Sequence, residues 1–156
     1  MSELEKIFLT SGLTIGGGVT VYVIGQLLSK FVIEPIHELR KVIGEVRFAL
    51  AFHAPTINTP ISRTQVTSDK AYDALMKCSA DLLVRAEGIP LYGVISRVSF
   101  RFVPEKKKVA DAAKWLRGLS THVHESGEKA IKNLQEIQDR IERIQQSLGI
   151  SSQTEE

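Results

Sequence analysis

Between Lys6 and Lys30 the chain runs for 23 residues, Ile7 to Ser29, without a charged side chain. As a helix rising 1.5 Å per residue it is about 34 Å long, against a bilayer hydrocarbon core of roughly 30 Å. The stretch predicts one membrane-spanning helix with a modest tilt. Gly12, Gly16, Gly17, Gly18 and Gly25 fall inside it. Each costs a water-soluble helix up to about 1 kcal/mol, whereas membrane helices carry glycine more freely, so a buried soluble helix is the weaker reading. A cleaved signal peptide fits less well again. The apolar run exceeds the usual hydrophobic region, and Glu3 and Glu5 accompany Lys6 where a basic cluster is expected.

The 123 residues from Glu34 to Glu156 suffice for one domain. Their charge is nearly balanced but unevenly placed: Arg85 to Arg117 sums to +5 and Gly118 to Glu156 to −3. One end of the domain should therefore be basic and the other acidic. Lys30, Arg40, Lys41 and Arg47 follow the apolar stretch, whereas Lys6 precedes it. The positive-inside rule then predicts an outside N-terminus and a cytoplasmic C-terminal domain in a single-pass protein. Cys78 is the only cysteine, so no disulfide can form within the chain.

The expected fold is all-α: a transmembrane helix in residues 1–33, a juxtamembrane amphipathic helix in 34–54, a Pro/Thr-rich linker in 55–68, a small helical bundle in 69–150 and a flexible tail in 151–156. Pro35 suits a first helical turn but not a regular helix interior, so Glu34-Pro35 reads as a turn or a new helix start. Ile36, Leu39, Val42, Ile43, Val46 and Leu50 then recur at helical intervals to about His53. Pro55 and Pro60 mark the linker, and Ser68 or Asp69 is expected to cap a helix from Lys70 to Glu87, stopped by Gly88-Ile89-Pro90. Val98, Phe100 and Phe102 alternate with Ser99 and Arg101 as in a strand, but a lone strand has no partner, which favours a short helix. Pro104-Glu105 starts the next helix, and Gly127 can separate it from the last one. There Ile131, Leu134, Ile137, Ile141, Ile144 and Leu148 form a heptad-like seam, suited to a coiled coil or to the core of the domain.

The run Ser79-Ala-Asp-Leu-Leu-Val-Arg-Ala-Glu-Gly-Ile-Pro-Leu-Tyr, followed by Ala112-Ala-Lys-Trp-Leu-Arg-Gly-Leu-Ser120, resembles a pattern in uncharacterised small bacterial proteins with one N-terminal membrane helix. It covers about a quarter of the chain. The resemblance implies the architecture, a bacterial origin and with it a cell inner membrane, and no activity.

Chemistry-bearing residues do not assemble into a motif. His37, His53, His122 and His124 lack metal-ligand spacing, since His122 and His124 are two apart and face different sides of a helix. Lys77 beside Cys78 could lower its pKa, although an inert, partly buried thiol is the plainer expectation. Gly16-Gly17-Gly18 has no following Lys-Ser or Lys-Thr and is no phosphate loop. No catalytic residue, cofactor or metal is expected.

Two surfaces remain. Gly12 and Gly16 form a small-xxx-small pair and Gly18 and Gly25 repeat at seven residues, so homo-oligomerisation through the span is expected, with Ile137, Ile141, Ile144 and Leu148 as further helix-packing candidates. Arg97, Arg101, Lys106, Lys107, Lys108, Lys114 and Arg117 are candidates for contact with anionic membrane lipid, or a solvated face. Phe100, Phe102 and Trp115 nearby do not make a nucleotide-stacking platform, so specific nucleic-acid binding is not expected. The favoured function is a non-enzymatic membrane-anchored scaffold or regulatory subunit with a cytoplasmic protein partner. The alternative is a homo-oligomeric pore or membrane-disrupting effector, given Thr10, Ser11, Thr14, Thr20, Tyr22, Gln26 and Ser29 in the span. A membrane-tethered enzyme ranks a distant third.

Overall fold

The computed structural model describes residues 3–59, 63–98, 103–125 and 128–150, which are helical throughout apart from short connections. Helix α1 (Glu3–Leu28) buries none of its residues. It is long and apolar enough to cross a membrane, with a mean hydropathy of 1.7 over its best window. Large apolar side chains such as Phe8, Leu13 and Val21 are each about two-thirds exposed or more. Its backbone is paired within the helix, which is the condition hydrocarbon imposes on any spanning segment.

The chain does not turn at Pro35. A π-turn, Ser29–Ile33, carries α1 directly into α2 (Glu34–Phe52), and the Glu34 N–H donates to the Ser29 carbonyl five residues back. Proline lacks an N–H, and in a regular helix its ring collides with the carbonyl four residues earlier. One extra residue in the preceding turn widens the spiral and relieves that collision, so Glu34-Pro35 is the helix start and not the turn of the two alternatives, and the axis continues through it.

Helix α2 buries Leu39, Val42, Val46, Ala49 and Leu50. It is the first member of a bundle with α4 (Gln65–Glu87), α6 (Lys106–His122) and α8 (Leu134–Leu148), each packed on the next. Neighbours run antiparallel. Glu38, near the start of α2, meets Arg85, near the end of α4, at 3.5 Å. Ser79 on α4 donates its buried hydroxyl to the Ala113 carbonyl of α6 at 2.8 Å. Leu39, Val46, Leu75, Leu82, Leu116 and Leu119 are completely enclosed between these helices. One end of the bundle thus adjoins α1, and the other lies at the far end of α2.

Several local expectations change. Within the stretch expected as a Pro/Thr-rich linker, Ala54–Asn58 forms α3, which seats Ile57 in the core, and α4 already begins at Gln65. Its cap is Thr64, which exchanges hydrogen bonds with Thr67 in a reciprocal capping box of 3.0 and 3.2 Å. Ser68, expected as a cap, is a buried residue inside the helix. Tyr92–Val98 is a short helix, α5, while the rest of the alternating segment, with Phe100 and Phe102, lies outside the described residues, as do Pro60, Gly127 and the tail 151–156.

The last helical stretch is interrupted at Asn133, between α7 (Glu128–Lys132) and α8. This breaks the phase of the seam. Ile137, Ile144 and Leu148 are buried against the same chain, Ile141 is half-buried, and Ile131 is 52% exposed. Gly149, with φ of 65°, ends α8 in the left-handed conformation that only glycine adopts readily, and lets the Ile150 N–H reach the Gln145 carbonyl at 2.9 Å.

The burial pattern yields a prediction. Ile144→Ala should destabilise the detergent-solubilised chain by about 2–5 kcal/mol, the range for emptying an enclosed aliphatic site. Ile141→Ala should lower stability clearly less. Equal midpoints of thermal or denaturant unfolding for the two variants would contradict this packing.

Candidate functional site

Among the candidates in α1, glycines come first. A Cβ built at Gly12, Gly16, Gly17, Gly18 or Gly25 would meet nothing within 4 Å, so their small size serves no packing inside one chain. At about 100° per residue, Gly12 and Gly16 share one side, and Gly18 and Gly25 share another roughly 150° away. A single two-fold interface can use one pair but not both. The hydroxyls of α1 are satisfied by their own helix: Thr10 donates to the Lys6 carbonyl at 2.8 Å, Thr14 to that of Thr10 at 2.9 Å and Thr20 to that of Gly16 at 2.8 Å. Gln26 points about 160° away from Thr10. These groups do not line one wall, and the threonines need no aqueous lumen to satisfy them.

The basic candidates divide by position. Lys106, Lys107 and Lys108 are exposed in the first turn of α6, at the end of the bundle that adjoins α1. Arg97 is exposed on α5 beside them in sequence. Lys114 and Arg117 are also exposed, but lie about 12 and 16 Å farther down the helix. Arg101 is outside the described residues. The three lysines occupy the positive end of the helix dipole, with no acidic residue in that turn. Each like charge there disfavours the helix by a few tenths of a kcal/mol.

Helix α5 is fixed to this end by buried groups. Ile89 and Tyr92 are enclosed, and the Tyr92 hydroxyl donates to the Pro104 carbonyl at 2.7 Å. Burial raises the Tyr92 phenol to about 12. At the same end of the bundle, a recess of about 630 Å³ opens between the π-turn and α4, lined by Phe31, Glu34, Pro35, Glu38, Val84 and Arg85 among others.

The opposite end of the bundle carries a polar cluster that sequence reasoning missed. Arg63 donates to four backbone carbonyls: Thr56 at 2.6 Å, Ile57 at 2.7 Å, Glu125 at 2.8 Å and His122 at 3.0 Å. A forked guanidinium suits this task, because it supplies several fixed donors to carbonyls at helix ends, of which that of His122 also accepts from the Glu125 N–H at 3.2 Å. Burial lowers the Arg63 pKa and Glu125 opposes that shift. The Glu125 carboxylate lies 2.9 Å from His122 Nδ1 and accepts from Asn133 at 2.7 Å. An ionised carboxylate only accepts, so Nδ1 carries the imidazole proton. His122 Nε2 stands 3.8 Å from Glu136, which Arg140 grips at 2.6 Å. Hydrogen bonding and charge from Arg140 hold the Glu136 carboxyl below the usual range.

Arg140 can lie there because Gly118 has no side chain, since a Cβ would collide with the guanidinium. Arg140 and Arg143 both sit over Trp115, 5.6 and 5.1 Å from the ring centre. The cluster ties α3, α6 and α8 together. The only signals in the sequence were the Glu136–Arg140 spacing and a lone arginine in a Thr/Pro-rich stretch.

His124 joins none of this; it stands 3.9 Å from Asp69 and packs on Tyr72. Among the described residues, no group of three or more His, Cys, Asp and Glu could hold a metal ion. Cys78 is buried, and burial followed by the Glu45 and Asp81 charges raises its pKa, against the lowering effect of Lys77. No protein-family model matches the chain, and no curated protein and no solved structure is significantly similar to it.

The Arg63 clamp gives a prediction. Arg63→Ala removes one donor group from four carbonyls and should destabilise the chain by about 2–4 kcal/mol, while Arg63→Lys, a point charge, restores only part. Unfolding midpoints of the two variants measure this, and an unchanged Arg63→Ala midpoint would contradict the clamp.

Proposed function

We propose that the chain is a single-pass membrane-anchored scaffold or regulatory subunit, with α1 across the bilayer and the bundle presented to a protein partner in the cytoplasm. The observation that carries this reading is a stacked aromatic pair on the outer face of α2. Phe48 and Phe52 are 67% and 66% exposed, with ring centres 5.4 Å apart. They lie about 27–33 Å beyond Lys30 along a continuous helix axis, beyond the reach of lipid headgroups. Exposed aromatic side chains that face neither core nor bilayer are the usual anchors of protein interfaces. A groove of about 310 Å³ between α2 and α8, lined by Arg47, Ala51, Asn58, Ile141 and Gln145 among others, adjoins them. A cytoplasmic face for the bundle follows from the basic residues after α1, and the resemblance to small bacterial membrane proteins favours an inner membrane.

A photo-crosslinking amino acid at position 48 or 52, in native membranes, should give a discrete heavier adduct, whereas the same probe at exposed Lys77 should not. A partner of different sequence supports the scaffold reading, an adduct of two identical chains turns it into self-assembly, and no adduct at either position rejects it.

Homo-oligomerisation through α1 belongs to the same proposal. It is supported by glycines with open space around them and by their division between two sides of the helix. Gly12→Leu with Gly16→Leu, or Gly18→Leu with Gly25→Leu, should weaken association, but not both combinations, because each blocks a different face. Crosslinking yield at several protein-to-detergent ratios measures this. A monomeric parent chain, or an oligomer indifferent to both combinations, rejects an interface through these glycines.

A further inference from the structure

We propose that the end of the bundle adjoining α1 rests on the bilayer itself: Leu91 and Val94 enter the interfacial layer, and Arg97, Lys106, Lys107 and Lys108 meet the phosphates of anionic lipids. This rests on the reading that α1 crosses a bilayer.

Several features converge there. Leu91 is 76% exposed and Val94 58%, so this turn offers its apolar side chains outward, away from the core. Leu91 also holds φ of 54°, a left-handed conformation that a leucine disfavours. The turn is rigidly held, by enclosed Ile89 and Tyr92 and by the Tyr92–Pro104 hydrogen bond, so its exposed side chains are presented and not merely loose. The antiparallel pairing of α2, α4 and α6 sets this turn and the α6 lysines level with the start of α2, a few residues from Lys30. Phe31, 53% exposed, lines a recess with Gly88 and so brings the apolar surface of α1 close to the turn.

The charge balance fits an anionic surface. Lys30, Arg85, Arg97, Lys106, Lys107 and Lys108 face Glu34, Glu38, Glu87 and Glu105 at this end, a net positive set in which Glu38 is already paired with Arg85 at 3.5 Å. Three lysines at a helix N-terminus oppose its dipole, and anionic phosphates close by offset that repulsion. Apolar side chains ringed by lysine and arginine are the composition of a segment lying in the interface plane, where insertion and charge attraction act together. Lys114 and Arg117 lie more than a Debye length farther from the surface and contribute little.

The test places single tryptophans in the full chain, in a Trp115→Phe background, reconstituted into nanodiscs of phosphatidylcholine with or without phosphatidylglycerol and with bromine-labelled acyl chains. Leu91→Trp and, as a second probe, Val94→Trp should lose about half their fluorescence in the anionic discs, and Phe52→Trp at the far end almost none. Lys106→Gln, Lys107→Gln and Lys108→Gln together should restore most of the signal at position 91, and Lys114→Gln with Arg117→Gln should leave it quenched. Phe8→Trp reports the span separately. If it is quenched while positions 91 and 94 match position 52, the bundle does not rest on lipid and the proposal fails with the span intact. If it is not quenched, the span reading fails and takes the proposal with it. Equal quenching at position 91 in discs lacking phosphatidylglycerol overturns the electrostatic half.

Discussion

Pro35 lacks the N–H that a regular helix needs and carries a ring that a regular helix cannot fit, yet it stands where an exposed apolar helix must join a packed one. Ending the helix there would leave α1 and the bundle connected by a hinge. Instead the Ser29–Ile33 turn absorbs one extra residue and hands α1 on to α2 along one axis. A turn so widened also rotates the faces of α2 by about one residue's worth, roughly 100°, relative to an uninterrupted helix. Whatever fixes the tilt and rotation of α1 therefore fixes the bundle, because α2 belongs to both.

The two ends of the bundle are built on opposite principles. At the end remote from α1, polar groups are matched to one another: Arg63 answers four carbonyls, Glu125 answers His122 and Asn133, and Arg140 answers Glu136. Each pairing removes a demand for an outside partner. At the end beside α1, among the described residues, lysines stack at the unfavourable pole of a helix dipole and a leucine is held outward in a disfavoured conformation.

Helical content and the apolar helix were readable because both rest on periodicity and composition. An uncharged run longer than a bilayer is thick has few interpretations, and residues such as Leu39, Val46 and Leu116 recur at spacings that a strand cannot use. What failed to read was chemistry that depends on distant partners or on unusual local pairings. Thr64 and Thr67 cap α4 reciprocally, but the familiar signature carries Glu or Gln at the second position, so Ser68 drew the assignment. Arg63 sits among prolines and threonines, and nothing local records that helix ends 59 and 62 residues away supply two of its acceptors. The seam through Ile131 looked continuous because spacing alone does not register an interruption at Asn133.

The candidate surfaces show the same division. Spacing could assign Gly12, Gly16, Gly18 and Gly25 to packing, but only a regular helix over their whole length separates them into two faces. Charge counting gathered Arg97 through Arg117 into one patch, whereas helix direction splits it. The first turn of α6 lies level with the start of α2, and Lys114 and Arg117 belong to the flank. A charge acts on a lipid surface only within about a Debye length, so position along the axis outweighs the number of charges. That places the burden of any membrane contact on three lysines, Arg97 and the apolar side chains they surround. The outward aromatic pair on α2 lies far beyond that length.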